Sequence, residues 1–120
     1  MAFYECTFIM RQDIVPQDVH KAADRFVDMI QSLGGEVLKR EYWGLRTLAY
    51  IVRKNKKGHY MMLGVKAADS VIKELERNFK INEEVIKYLT IKVDKIDDAP
   101  SYMMQAPADS ADLSANSSSE

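Results

Sequence analysis

Apolar and polar residues alternate at the start of the chain. Over 3–10, FYECTFIM, the residues Tyr4, Cys6, Phe8 and Met10 share one side, and Glu5 and Thr7 lie on the other. A period of two predicts a strand with one buried face. The pattern changes after Pro16. Val19, Ala22, Ala23, Phe26, Ile30 and Leu33 recur at three- and four-residue steps and make one helical stripe. Pro16 suits the first turn of that helix, and Asp18 complements its dipole there. Gly34-Gly35 ends it, because glycine takes the left-handed conformation at a helix C-terminus at little cost.

Alternation returns over 36–53, led by Val37 and continued by Leu45, Leu48, Tyr50 and Val52, with Gly44 as a bulge or bend in the middle. Lys54 to Gly58 read as a polar turn and His59 to Lys66 as a third strand, so the second and third strands form an antiparallel hairpin. Asp69 or Ser70 is placed to cap a second helix whose stripe is Ala68, Ile72, Leu75 and Phe79. Asn82 and Glu83 break it. Residues 85–93, VIKYLTIKV, are a fourth strand, whose inward face is left open between Ile86/Tyr88 and Leu89/Ile91.

The order strand, helix, strand, strand, helix, strand is the split βαβ arrangement. It predicts an α+β, ferredoxin-like βαββαβ fold, with right-handed crossovers putting both helices on one face of a four-stranded antiparallel sheet. The second face is then the natural binding surface. This domain covers 1–95. Residues 96–120 are acidic, rich in Ala, Ser and Asp, and without periodicity, which predicts a disordered tail.

Charge sharpens this division. The net charge is −1, but the five acids Asp97, Asp98, Asp109, Asp112 and Glu120 follow Lys95 with no cation among them. The first 95 residues hold all 17 cations against 13 acids and carry +4. Seven of the cations fall between Lys39 and Lys57, where the one acid is Glu41. Such local density matters more to an anionic partner than the net value. No apolar run approaches the ~20 residues of a membrane span. A single cysteine, Cys6, forms no internal disulfide, and MAFYECTFIM lacks the marks of a secretory signal. A reduced, cytoplasmic setting is expected.

Catalytic chemistry finds little to work with. His20 and His59 lie in different elements without carboxylate or cysteine neighbours at zinc spacing, so no metal or cofactor site is expected. Asp24 and Asp28 share a helix surface with Lys21 and Arg25, as exposed helical charges commonly do. Cys6 falls on the core face, whereas a reactive thiol needs exposure and nearby positive charge. No glycine-rich phosphate loop opens a helix. A small ferredoxin-like enzyme or ligand-binding regulator of the acylphosphatase-like type would need an anion cradle after the first strand. Arg11-Gln12-Asp13-Ile14-Val15-Pro16 offers one cation and no glycine. A homo-oligomeric module using the exposed sheet is a third class.

The hairpin is the stronger signal. Arg53, Lys54, Lys56 and Lys57, with His59 beside them, can reach outward to phosphates from a hairpin tip. Lys80, Lys87 and Lys92 are further candidates, although the odd separation of Lys87 and Lys92 keeps them off one strand face. Lys57-Gly58-His59-Tyr60-Met61-Met62-Leu63-Gly64 begins like the third strand of an RRM sheet. Met61 and Gly64 then stand where stacking aromatics belong, so base stacking is not expected. Tyr60 and Met62 instead suggest an outward aromatic–methionine patch for a protein partner. Tyr42 and Trp43 must point to opposite faces, and an exposed ring beside Lys39, Arg40 and Arg46 would suit a docking strip.

These residues resemble the bacterial small-subunit ribosomal protein number six family. Its second-strand signature, roughly Gly-x-basic-polar-Leu-Ala-Tyr-x-Ile, is matched by Gly44, Arg46, Leu48, Ala49 and Tyr50. Thr47 stands where a larger polar residue is usual, and Val52 replaces Ile. Tyr4-Glu5, Gly34, Lys54 and Gly58 agree with the flanking pattern, and the likeness spans 3–93. It implies a non-catalytic structural constituent of the small ribosomal subunit. Such a protein binds the central domain of small-subunit ribosomal RNA, paired with small-subunit ribosomal protein number eighteen, which docks along the second strand. On that likeness Glu41, Tyr42, Trp43 and Arg46, with Lys39 alongside, belong to the protein contact. Lys54, Lys56 and Lys57 face RNA, and Lys80, Lys87 and Lys92 are weaker RNA candidates.

Overall fold

The computed structural model describes residues 1–105. The strands are β1 (Ala2–Arg11), β2 (Glu36–Val52), β3 (Asn55–Ala67) and β4 (Val85–Val93); the helices are α1 (Pro16–Ser32), α2 (Asp69–Ile81) and a single turn, α3 (Tyr102–Gln105). The strands form one antiparallel sheet in the order β2-β3-β1-β4. This is the expected βαββαβ arrangement.

One face of the sheet carries the main core. Tyr4, Cys6, Phe8 and Met10 of β1 and Met61, Leu63 and Val65 of β3 pack on the stripes of α1 and α2. Phe8 sits 5.1 Å from the Phe26 ring and 5.2 Å from the Phe79 ring, which are themselves 4.9 Å apart. This three-ring contact ties β1, α1 and α2 together and adds to the area they bury. Neither Asp69 nor Ser70 caps α2: Ala68 occupies that position, and no side chain bonds the exposed amides.

A bulge between Ile9 and Met10 shifts the β1–β4 register. The shift explains why β4 has no clean alternation. Val85 and Tyr88 join the helix-side core, while Ile86 and Leu89 turn to the other face. There they meet Ile9, Tyr60, Leu48, Trp43 and Val52 in a second cluster. Leu48 and Val52 belong to the outer end of the β2–β3 hairpin, which therefore closes over part of the face expected to stay open.

Gly58 marks the crossing of that hairpin with β1. A Cβ there would collide with Cγ2 of Ile9, and would lie 3.2 Å from the Met10 carbonyl oxygen. Ile9 is fully buried and has no room to yield. Gly58→Ala is expected to lower stability by about 1–3 kcal/mol, the usual cost of overpacking. Urea denaturation measures it.

The turn of the hairpin is tighter and earlier than the sequence suggests. Arg53 and Lys54 alone form it, with φ of 48° and 68°, and Asn55 already begins β3. Two successive positive φ values mark a two-residue loop of the type usually built from Asn-Gly. Asn55 holds the strained backbone. Its Nδ2 donates to the carbonyls of Val52 and Arg53, and its Oδ1 accepts from the Gln12 amide at 3.0 Å. Gln12 Oε1 in turn accepts the amides of Lys56 and Lys57.

Residues beyond β4 do not leave the body at once. Ile96 lies over Gly64, and 99–103 run across β2. The expectation of disorder for 106–120 lies outside the described residues.

Candidate functional site

Two regions collect the residues singled out by sequence, and both involve the long hairpin. The first is its tip. Arg53, Lys54, Lys56 and Lys57 are all exposed. The tip passes beyond the end of β1 and reaches the start of β4, where Arg53 Nη1 points to the Val85 carbonyl at 3.5 Å. Arg53, Lys80, Lys87 and Tyr88 line one open groove there. Lys87 Nζ donates to Tyr50 Oη at 2.9 Å and stands 4.8 Å from the centre of that ring. The fold thus gathers Lys80 and Lys87 beside the hairpin cations. Lys92 is not part of this group. It is five residues along β4, roughly 17 Å at strand rise, and pairs with Tyr4 at the far end of β1.

His59 departs from the expectation. It is buried, and its Nδ1 is 2.8 Å from Tyr42 Oη. Burial pushes its ring below the ordinary value, against the opposing effect of backbone contacts with Ile14 and Gln12. A neutral, enclosed imidazole gives a phosphate no charge. Tyr60 and Met62 also differ. Tyr60 is fully buried in the second cluster, where the Trp43 ring stacks on it at 6.3 Å. Met62 lies between Glu41 and Thr7 in the ladder and is 2% exposed. Alternation places them on the second face correctly, but the hairpin end and the C-terminal segment cover that face.

The second region is the middle of β2. A register shift between Tyr42 and Gly44, made possible by Gly44 at φ 90°, turns the two rings apart. Tyr42 packs on the α1 side against His20, and Trp43 lies on the second face, both half-buried. Beside Trp43 are Lys39, Glu41 and Arg46. The Trp43 indole N–H donates to Glu41 Oε1 at 2.9 Å, and Lys39 Nζ is 3.6 Å from Glu41 Oε2. Arg46 Nε donates to the Trp43 carbonyl at 2.7 Å. Glu41 and Arg46 are 5% and 3% exposed, because 99–103 lies over them.

Sequence reasoning missed that segment. Ser101 gives both its N–H and its hydroxyl to Glu41, at 2.9 and 2.6 Å. The Ala99 carbonyl accepts from Lys39 at 2.6 Å, and the Met103 carbonyl from Arg46 at 2.7 Å. Burial by itself raises the Glu41 pKa. The hydrogen bonds from Ser101 and Trp43 and the Lys39 charge outweigh it and hold the carboxyl below its ordinary value. The available sequence signal was Glu41 itself, a lone acid within a run of cations.

Elsewhere the chemistry is quiet. Burial, opposed by a Thr90 hydrogen bond and assisted by Glu76 and Glu5, pushes the Cys6 thiol up to about 12. Such a thiol is not a nucleophile near neutrality. The loop after β1 surrounds Arg11 with Asp13, Asp18 and Glu84, and Arg11 already pairs with Asp13 at 3.0 Å. That arrangement repels an acyl phosphate. Among the described residues, no three His, Cys, Asp or Glu side chains gather to hold a metal, and no helix is long and apolar enough to cross a membrane.

Comparison with known proteins agrees with this geometry. A family model described as ribosomal protein S6 matches residues 3–92. The small ribosomal subunit protein bS6 of Granulibacter bethesdensis is 47% identical over 109 residues, spanning 91% of this chain and 71% of that one. That of Rickettsia canadensis is 50% identical over 105 residues, spanning 88% and 87%. The crystal structure of 30S ribosomal protein S6 from Thermotoga maritima superposes with a TM-score of 0.72 at 24% identity, covering 77% of this chain and 87% of that one. At that identity the superposition establishes the fold.

Proposed function

Because the chain belongs to the ribosomal protein S6 family, and so is an RNA-binding protein of the small ribosomal subunit, we propose that it binds the central domain of small-subunit ribosomal RNA jointly with small-subunit ribosomal protein number eighteen. Its role there is structural and non-catalytic. The hairpin tip meets the RNA. The β2 strip from Lys39 to Arg46 meets the partner protein.

One observation carries the RNA half of this reading. Two long cations, Arg53 and Lys54, hold positive-φ turn positions where glycine or asparagine would sit with less strain. A strained turn that presents charge, braced from behind by Asn55 and Gln12, is a feature of function more than of folding. Arg53, Lys80 and Lys87 around one groove widen the basic surface toward β4. The exposed ring beside them, Tyr50, has the Lys87 ammonium 4.8 Å over its centre, where a stacked base would have to sit. Recognition is therefore by phosphate position and RNA shape.

A charge of +4 on residues 1–95 is modest, so the chain alone binds weakly and the pair binds well. A central-domain RNA fragment titrated with this protein alone and with the equimolar pair tests this. The pair is expected to bind at least about tenfold more tightly, through shared surface and added cations. Equal affinities would remove the cooperative reading.

A further inference from the structure

We propose that the β2 strip from Lys39 to Arg46 is a backbone-reading peptide site whose resident occupant is this chain's own segment Ile96–Met104, and that a docking partner displaces it. The proposal rests on the assignment of β2 as the docking strip and adds how that strip is kept closed and what opens it.

The contacts define the chemistry. The segment runs in the same direction as β2 and offers alternate residues to it: the Ala99 carbonyl to Lys39, the Ser101 N–H and hydroxyl to Glu41, the Met103 carbonyl to Arg46. Three of these four groups are backbone atoms, which any peptide supplies. The strip therefore selects a segment with a hydrogen-bond donor pair opposite Glu41 and carbonyls on either side, the second of them here offered from the single turn α3. RNA is a poor occupant, since the carboxylate at the centre repels phosphate. Gly64 shapes the near end. Ile96 sits over it so closely that an added Cβ would come 2.9 Å from Ile96 Cγ2.

The occupant is built to leave. Its apolar anchorage is slight: Ile96 is half-buried and Met103 buried, but Tyr102 is 75% exposed and Met104 46%. Asp97, Asp98, Ala99 and Pro100 are exposed. Segments with little apolar burial open at low cost. The strip beneath is the reverse. Glu41 and Arg46 are buried charged groups, and they are costly without partners. A vacated strip must be refilled by groups of the same kind, so release of the segment and docking of a partner are coupled.

The experiment uses the full chain and small-subunit ribosomal protein number eighteen as the probe. Ser101→Ala removes the hydroxyl bond to Glu41. Ser101→Pro removes the N–H bond as well, and both changes lie outside the sheet and its core. Losing bonds to a buried carboxylate loosens the segment. Ser101→Ala is expected to tighten association about fivefold and Ser101→Pro about tenfold or more in calorimetric titration. In the wild-type chain the Ser101 amide is expected to exchange more slowly when free than in the complex. Unchanged or weakened association of either variant, or an amide still protected in the complex, overturns the proposal while leaving β2 as the docking strip. Failure of wild type and both variants alike to associate overturns the docking assignment together with it.

Discussion

Replacing Lys54, Lys56 and Lys57 together by Glu is expected to lower affinity for small-subunit RNA by about tenfold to a hundredfold near 0.1 M salt, and to flatten its salt dependence. The three side chains are exposed on one hairpin tip, and reversing them takes residues 1–95 from +4 to −2. A phosphate contact releases a counterion, so three lost contacts make the log–log salt slope shallower by roughly two to three. The fold is expected to survive. The positive-φ position at Lys54 is held by Asn55 and Gln12, not by its own side chain. Surface changes of this kind usually stay within about 0.5 kcal/mol. Lys21 and Lys73, exposed on the helices and paired with Asp18 and Asp69, provide the control, since their reversal should leave the slope alone. If the triple variant bound RNA with unchanged affinity and slope, and entered the small subunit as wild type does, the tip would have no part in RNA contact.

Most of the fold was legible because its elements follow simple periods. β1 and α1 come directly from alternation and from the stripe after Pro16. The departures have local causes. The run Lys54 to Gly58 has turn-like composition, yet the turn is Arg53-Lys54, because Asn55 and Gln12 support a backbone that those residues would not choose alone. In β4 the bulge at Ile9/Met10 interrupts the period of two. Tyr60 and Met62 were placed on the correct face but not recognised as covered, since alternation says nothing of a hairpin folding back on its own sheet.

The candidate site was legible to a different degree in its two halves. Charge is displayed by sequence, so the exposed cations of the hairpin tip were legible directly. The grouping of Arg53 with Lys80 and Lys87 needed the third dimension. The segment over β2 left almost no trace. Its contacts are made chiefly by the carbonyls of Ala99 and Met103 and the amide of Ser101, and backbone atoms carry no sequence pattern. Around it an acidic, Ser-rich composition reads as disorder, although 99–103 is pinned.

Glu41 is where these threads meet, and Glu41→Ala is expected to cost about 3 kcal/mol of stability. Removing one member of a buried, hydrogen-bonded charge pair typically costs about 3–5 kcal/mol, because the remaining group is left unpaired. The lower end applies here. Lys39 keeps its bond to the Ala99 carbonyl, and its side chain is 12% exposed. For a domain of this size the loss corresponds to a fall in Tm of roughly 10–15 °C. Trp43, the one tryptophan of the chain, loses the acceptor for its indole N–H, so its emission should shift to the red. The effect depends on pH in a defined sense. The Glu41 carboxyl is held below its ordinary value of 4.5 in the folded chain. A group depressed in this way contributes its full stability above the unfolded value, and the contribution fades as the pH falls through the folded one. The gap between wild type and Glu41→Ala should therefore be constant near neutrality and narrow progressively below about pH 4.5. A gap that stays constant down through that range would mean that the carboxylate charge does not hold the segment against β2, and that only the shape of the side chain matters there.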